Sequence, residues 1–187
     1  PDIGVDAHPH LGSNMLPRLV RGMRESILGA GGEIHFEAHV TDLVLDSGGA
    51  RGVRLAGGET VPGDAVVLAT GHSSRDIYDL LLRRSVLVEA KPFALGVRIE
   101  HPQALVDRMF YHHSPRHTAL PAASYRVACQ TAQRGVFSFC MCPGGFVVPA
   151  STAPGELVLN GMSLASRNAP FANAGLVAEV RPADVPG

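Results

Sequence analysis

The chain has 187 residues, 45% of them hydrophobic and 18% charged, which excludes a disordered segment and suffices for a sizeable core in one or two domains. Its formal net charge of −1 gives no general attraction to nucleic acid or to an anionic membrane, so neither is an expected partner. Three cysteines, Cys129, Cys140 and Cys142, make no disulfide framework, and no signal peptide or membrane-spanning apolar run occurs, so a reducing cytoplasm is the expected setting.

Residues 1–13 are rich in Gly, Pro and His and read as a loop. Asn14 is a candidate cap for a helix over about residues 15–28, where Leu16, Leu19, Val20, Met23, Ile27 and Leu28 fall near helical spacing. Gly29, Gly31 and Gly32 end it. They follow a helix instead of a strand, so they read as a C-cap, and no G-x-G-x-x-G or Walker A pattern occurs anywhere. Residues 33–38 alternate as a strand. Residues 39–45, 51–55 and 60–61, separated by glycine turns, read as a small antiparallel meander.

Ala65 to Ala69 is an unbroken apolar run that stops at Thr70-Gly71-His72. It predicts a central strand buried on both faces of a parallel sheet. Gly71 lets a ligand approach the backbone closely, and Ser73 or Ser74 can cap a helix over residues 75–84. An ordinary strand-to-helix turn is the alternative. Residues 86–90 and 93–100 read as strands, and Pro102 starts a helix over 103–110. Residues 111–121 form a loop carrying His112, His113 and His117, in a spacing that supports a solvated loop over a metal site. Residues 124–131, 136–141, 146–149 and 157–160 read as strands of an antiparallel sheet. Residues 173–180 read as a further strand or a short helix.

The character of the chain changes near Lys91. Residues 1–90 are expected to be part of a parallel α/β domain and residues 91–187 a β-rich domain.

Five blocks stand together in order: Pro9-His-Leu-Gly12, Gly32-Glu-Ile-His-Phe36, Ala69-Thr-Gly71 after its apolar strand, Lys91-Pro-Phe-Ala-Leu-Gly-Val-Arg-Ile-Glu-His-Pro102, and Phe137-Ser-Phe-Cys-Met-Cys-Pro-Gly-Gly145, followed by Asn160-Gly-Met-Ser163. In this order the chain resembles the bacterial FAD-dependent dehydrogenases of the glutathione-reductase-like, two-dinucleotide-binding-domain superfamily. The resemblance implies an α/β (α+β) fold. Residues 1–90 would be the C-terminal portion of a Rossmann-like FAD-binding domain with its β-meander, and residues 91–187 a β-rich substrate-side domain. It implies FAD as cofactor, NAD(P)H as an electron partner, and hydride transfer on a small-molecule substrate. It places Ala69, Thr70, Gly71, His72 and, from its own block, Gly12 near the flavin, with His10 beside Gly12. Val40 takes the position whose backbone amide and carbonyl meet adenine; an ordinary strand residue is the alternative. The glycine-rich pyrophosphate loop of such enzymes would precede Pro1, so the chain is expected to be a fragment whose partner is the missing N-terminal part of a parent chain.

Cys140-Met-Cys-Pro-Gly-Gly145 is the densest local chemistry. At i and i+2 on a strand, Cys140 and Cys142 point to one face and are candidate catalytic or flavin-contacting thiols; two small buried hydrophobes are the alternative. Their spacing supports neither an easy disulfide nor a C-x-x-C mechanism. Gly144 and Gly145 allow a close backbone approach whose amides can hold a flavin carbonyl, a phosphate or a carboxylate; a tight turn is the alternative. Arg98 is a candidate anchor for an anionic substrate, with pairing to Glu100 as the alternative. Arg167 and Asn168 are further candidates. A different class of function, a non-catalytic ligand- or protein-binding domain on a flavoprotein scaffold, fits the same pattern.

Overall fold

A computed structural model describes residues 10–185. Pro9, the first residue of the first block, and Gly187 lie outside the described residues. The chain divides into two compact units. One comprises residues up to Ser26 together with those from Lys91 onward, and the other is Ile27–Ala90. Helix α1 (Leu16–Gly29) runs across that division. Its apolar stripe forms at the expected spacing, but no residue of it is buried.

The unit Ile27–Ala90 is built on the expected meander. Strands β1 (Val40–Asp46), β2 (Gly49–Leu55) and β3 (Thr60–Pro62) pair antiparallel in that order. Helix α2 (Arg75–Arg83) lays Ile77 and Leu80 against Leu43 of β1, with Val53, Val66 and Leu81 closing a small core. Arg84 pairs with Asp42 and His39 with Asp76, so the helix is tied to β1 at both ends. Ser74 takes the N-cap position of α2, but its hydroxyl donates to the Thr70 carbonyl at 2.7 Å and caps nothing.

Three expected strands of this unit are absent. The run 65–69 forms no strand and no ladder pairing, with Val67 88% exposed. Residues 33–38 are irregular, Glu37 taking a left-handed φ of 57° and Phe36 lying 73% exposed. Residues 86–90 form no strand either, and Leu87 is exposed. A strand buried on both faces needs neighbours on both edges. None is available to these segments among the described residues, so apolar sequence alone does not make them strands. The parallel sheet expected for residues 1–90 is therefore not formed, and every pairing described is antiparallel. The fold is a mixed helix-and-sheet α+β arrangement.

In the other unit, β4 (Phe93–Pro102) runs into α3 (Gln103–Tyr111). It is followed by β5 (Ala128–Gln130), β6 (Gly135–Cys142), β7 (Gly145–Pro149), β8 (Leu159–Ser163) and β9 (Phe171–Val180). The last segment is thus a strand, not a helix. The main sheet has the order β4-β9-β6-β5, and β7 pairs with β8 as a separate ribbon. β4 and β9 stay in register for ten residues, from Phe93 opposite Val180 to Pro102 opposite Phe171. Alternation along these strands sorts side chains onto two faces. Ile99 and His101 lie with their partners Ala174 and Ala172 on one face, where α3 packs through Val106. Arg98 and Glu100 lie with Gly175 and Asn173 on the other.

Among the described residues no helix is long and apolar enough to cross a membrane, and no group of three or more His, Cys, Asp or Glu side chains is placed to hold a metal ion.

Candidate functional site

The site lies on the Arg98 face of the sheet. It is an open cavity of about 230 Å³ lined by His10, Gly12, Cys142, Gly161, Ser163 and Arg167, with Ser13, Leu16, Met141 and Pro143 completing the wall. Three of the stretches singled out in the sequence meet here, the first block, the cysteine block and Asn160-Gly-Met-Ser163, although they are up to about 150 residues apart in the chain.

The first block enters through Gly12, whose φ of 88° is left-handed. A Cβ there would run into the Ala165 backbone, so only glycine lets this loop lie against the segment after β8. His10 Nε2 lies 2.8 Å from the Leu164 carbonyl, which assigns the proton to Nε2 and leaves Nδ1 as an acceptor. Asn14 Oδ1 accepts from the Ala165 amide at 2.9 Å. Asn14 therefore anchors the loop to the sheet instead of capping α1.

The cysteine block behaves differently from the expectation. A register shift between Phe139 and Cys142 interrupts the pairing of β6 with β9, and Cys140 takes a left-handed φ of 47°. Such a bulge re-aims the side chains that follow it. Cys140 is exposed and Cys142 is buried in the cavity wall, but the two side chains still meet, and the Cys142 thiol donates to the Cys140 carbonyl at 3.5 Å. Burial pushes the Cys142 thiol up from its ordinary pKa, and Cys140 adds to the rise; Arg98 and Ser163 oppose it without winning. A neutral thiol is the stable form near pH 7, which weakens the case for Cys142 as a nucleophile.

Gly144 and Gly145 form a turn whose backbone is already committed. The Gly144 amide donates to Gln103 Oε1 at 2.7 Å, and its carbonyl accepts from Ala169 at 3.3 Å. The expected exposed amide at Gly144 is thus buried and satisfied within the fold. Gln103 is itself fixed by bonds from its Nε2 to Asp107 Oδ1 and the Ala123 carbonyl. The turn is held rigidly under the cavity, with Ser163 Oγ donating to the Pro143 carbonyl at 3.0 Å.

Arg98 does not pair with Glu100 in any described ion pair. Its Nη1 donates to Asn173 Oδ1 at 2.6 Å and to the Cys140 carbonyl at 3.2 Å. The guanidinium packs behind the cavity at Gly161, where a Cβ would collide with Arg98, Asn173 and Cys142. Arg98 thus braces the site from beneath instead of opening onto it. Asn173 is fully buried, and its Nδ2 has no hydrogen-bond partner among the described residues.

Arg167 is the most informative member. It lines the cavity, takes a left-handed φ of 47°, and buries an Nε that has no hydrogen-bond partner among the described residues. A buried guanidinium donor without an acceptor is costly, and strained backbone persists where surrounding structure enforces it. The cavity accordingly presents a cationic donor in search of an acceptor oxygen. Asn168, its neighbour, has its Oδ1 occupied by Ser166.

Val40, Ala69, Thr70, Gly71 and His72 belong to the unit Ile27–Ala90. Val40 begins β1 opposite Leu55. Gly71 has a φ of 79° with open space where a Cβ would stand, so its left-handed backbone, not crowding, requires glycine. Asn173 and Gln103 were not distinguished in the sequence. The signal for Asn173 was available: an amide between alanines within Phe171-Ala-Asn-Ala-Gly175 is a polar group in a buried strand.

Two comparisons bear on this site. Residues 92–187 match the family described as FAD-dependent protein, C-terminal domain-like. An uncharacterized protein of Clostridium beijerinckii (strain ATCC 51743 / NCIMB 8052) is 42% identical over 188 residues, an alignment covering 100% of this chain and 35% of that relative. The chain thus spans about a third of the length of the relative it matches.

Proposed function

We propose, for a chain that belongs to the FAD-dependent protein, C-terminal domain-like family, that it is the substrate-side part of an FAD-dependent oxidoreductase. The reaction class is hydride transfer between the flavin and a small molecule. The single observation that carries the reading is the buried, unpartnered Nε of Arg167 in the wall of the cavity. The residues present fit one polar group of the cofactor: a cationic donor at Arg167 in a wall shared with His10 and Ser163. Bound FAD supplies the two-electron redox centre, and the protein binds it, orients the substrate and excludes competing reactions. Arg167 holds an acceptor oxygen, and Arg98, Asn173 and Gln103 keep the wall rigid.

The unit Ile27–Ala90 is read as a portion of a Rossmann-like FAD-binding domain, with Val40 and the Ala69–His72 segment as its cofactor-side residues. The unpaired apolar run 65–69 and the exposed stripe of α1 support this reading, since both are surfaces made for neighbours. The pyrophosphate loop would come from the longer protein of which this chain is a part.

The test is Arg167→Gln in that longer protein. Hydrogen bonds to charged groups are worth about 1.5–3 kcal/mol, so FAD affinity is expected to fall by roughly tenfold or more. Unchanged FAD affinity and unchanged turnover would remove Arg167 from the site. A well-folded protein that binds no flavin at all would favour the non-catalytic binding-domain reading.

A further inference from the structure

The opposite face of the same sheet carries a second cavity, of about 380 Å³, which no part of the flavin reading uses. Ile99 and His101 of β4 and Leu176 of β9 form its floor, and α3 closes one side through Leu105, Val106, Met109 and Phe110. Tyr125 and Val127 close the other. The lining is apolar apart from two groups. His101 Nε2 and the Tyr125 hydroxyl are both buried, and neither has a hydrogen-bond partner among the described residues. Their rings stack with centroids 5.6 Å apart at 29°, so the two polar groups belong to one wall.

Buried polar atoms are almost always paired in folded proteins, and each unpaired one is destabilising. Two together beside an empty apolar cavity point to a ligand that pairs them. An apolar side chain from a partner protein would fill the space and leave both atoms unsatisfied. A charged ligand is disfavoured, because no Lys or Arg lines the cavity. A hydroxyl has the chemistry both groups call for: an acceptor for the Tyr125 hydroxyl and a donor for an unprotonated His101 Nε2.

We propose that this cavity binds a compact, uncharged aromatic or alicyclic molecule bearing one hydroxyl group, held by Tyr125 and His101. The inference stands on the Ile99–His101 face alone and is independent of the flavin reading.

The test is equilibrium dialysis of the longer protein that carries this chain with 2-naphthol, naphthalene and 2-naphthalenesulfonate. The expected result is saturable binding of 2-naphthol, at least about tenfold tighter than naphthalene, with the sulfonate excluded. One good hydrogen-bonding group is worth about that factor. Tyr125→Phe removes only an unpartnered hydroxyl, so it should fold with an unchanged or higher melting temperature and lower the naphthol preference by about threefold or more, the His101 contact remaining. Tyr111→Phe, whose hydroxyl donates to the Pro121 carbonyl, should leave the preference intact. Equal binding of 2-naphthol and naphthalene, no saturable binding of either, or a preference undiminished in Tyr125→Phe would each overturn the proposal.

Discussion

Arg98 of β4 donates to Asn173 Oδ1 of β9 at 2.6 Å, and the same nitrogen reaches the Cys140 carbonyl of β6. One guanidinium thereby ties three strands at the point where the β6 bulge opens the ladder. Asn173 is fully buried, so water cannot replace it. Asn173→Ala is expected to lower stability by about 2 kcal/mol, the usual cost of losing a charge-assisted hydrogen bond and leaving its partner unpaired. Urea unfolding checks this. A change below about 0.5 kcal/mol would mean that the sheet does not depend on the brace.

The three thiols should separate by accessibility. Cys129 and Cys140 are exposed, whereas Cys142 is buried with its thiol pushed up in pKa by burial. Alkylation follows the thiolate and its access. Iodoacetamide at pH 7 should therefore label Cys129 and Cys140 well before Cys142, at least about tenfold faster by peptide mass spectrometry. Early labelling of Cys142 would contradict the buried cavity wall.

Acid should weaken the fold through two carboxylates. At Asp107, burial pushes the pKa up, but bonds from the Ala123 amide, Gln103 and Arg116 outweigh it and leave the group below its ordinary 3.8. At Asp184, the bidentate Arg134 guanidinium and then the Arg181 amide bring the pKa down to about 2. A carboxyl held lower in the folded state than in the unfolded chain contributes full stability above the unfolded value, here about 3.8. That contribution is lost as pH falls through the folded value. Stability should therefore be flat in these groups above pH 5 and decline from about pH 4 toward pH 2. Asp107→Asn should shallow that decline. An identical acid limb in the variant would show that Asp107 is not linked to folding.

Local signals were legible where the elements concerned are self-sufficient. The helical spacing from Leu16 to Leu28, Pro102 before α3, and the glycine turns of the meander each act within one element or one hairpin, and the structure forms all of them. The runs 33–38, 65–69 and 86–90 were misread because apolar content records a demand for neighbours, not their presence. The cavity was legible in part. Gly12 and Cys142 were singled out and do meet there, and Arg167 turned out to be more telling than its sequence context suggested. The bulge at which Cys140 stays exposed while Cys142 is buried was not legible, since strand alternation assumes an unbroken ladder. Nor was the role of Gln103, whose partner Gly144 lies 41 residues away.

The most direct test of the central claim is the visible absorption spectrum of the longer protein carrying this chain, purified and then titrated with FAD, beside that of Arg167→Gln. The account predicts flavin bands in the longer protein, with Arg167→Gln requiring more FAD to reach the same signal. A folded longer protein that shows no flavin bands even at saturating FAD would contradict it.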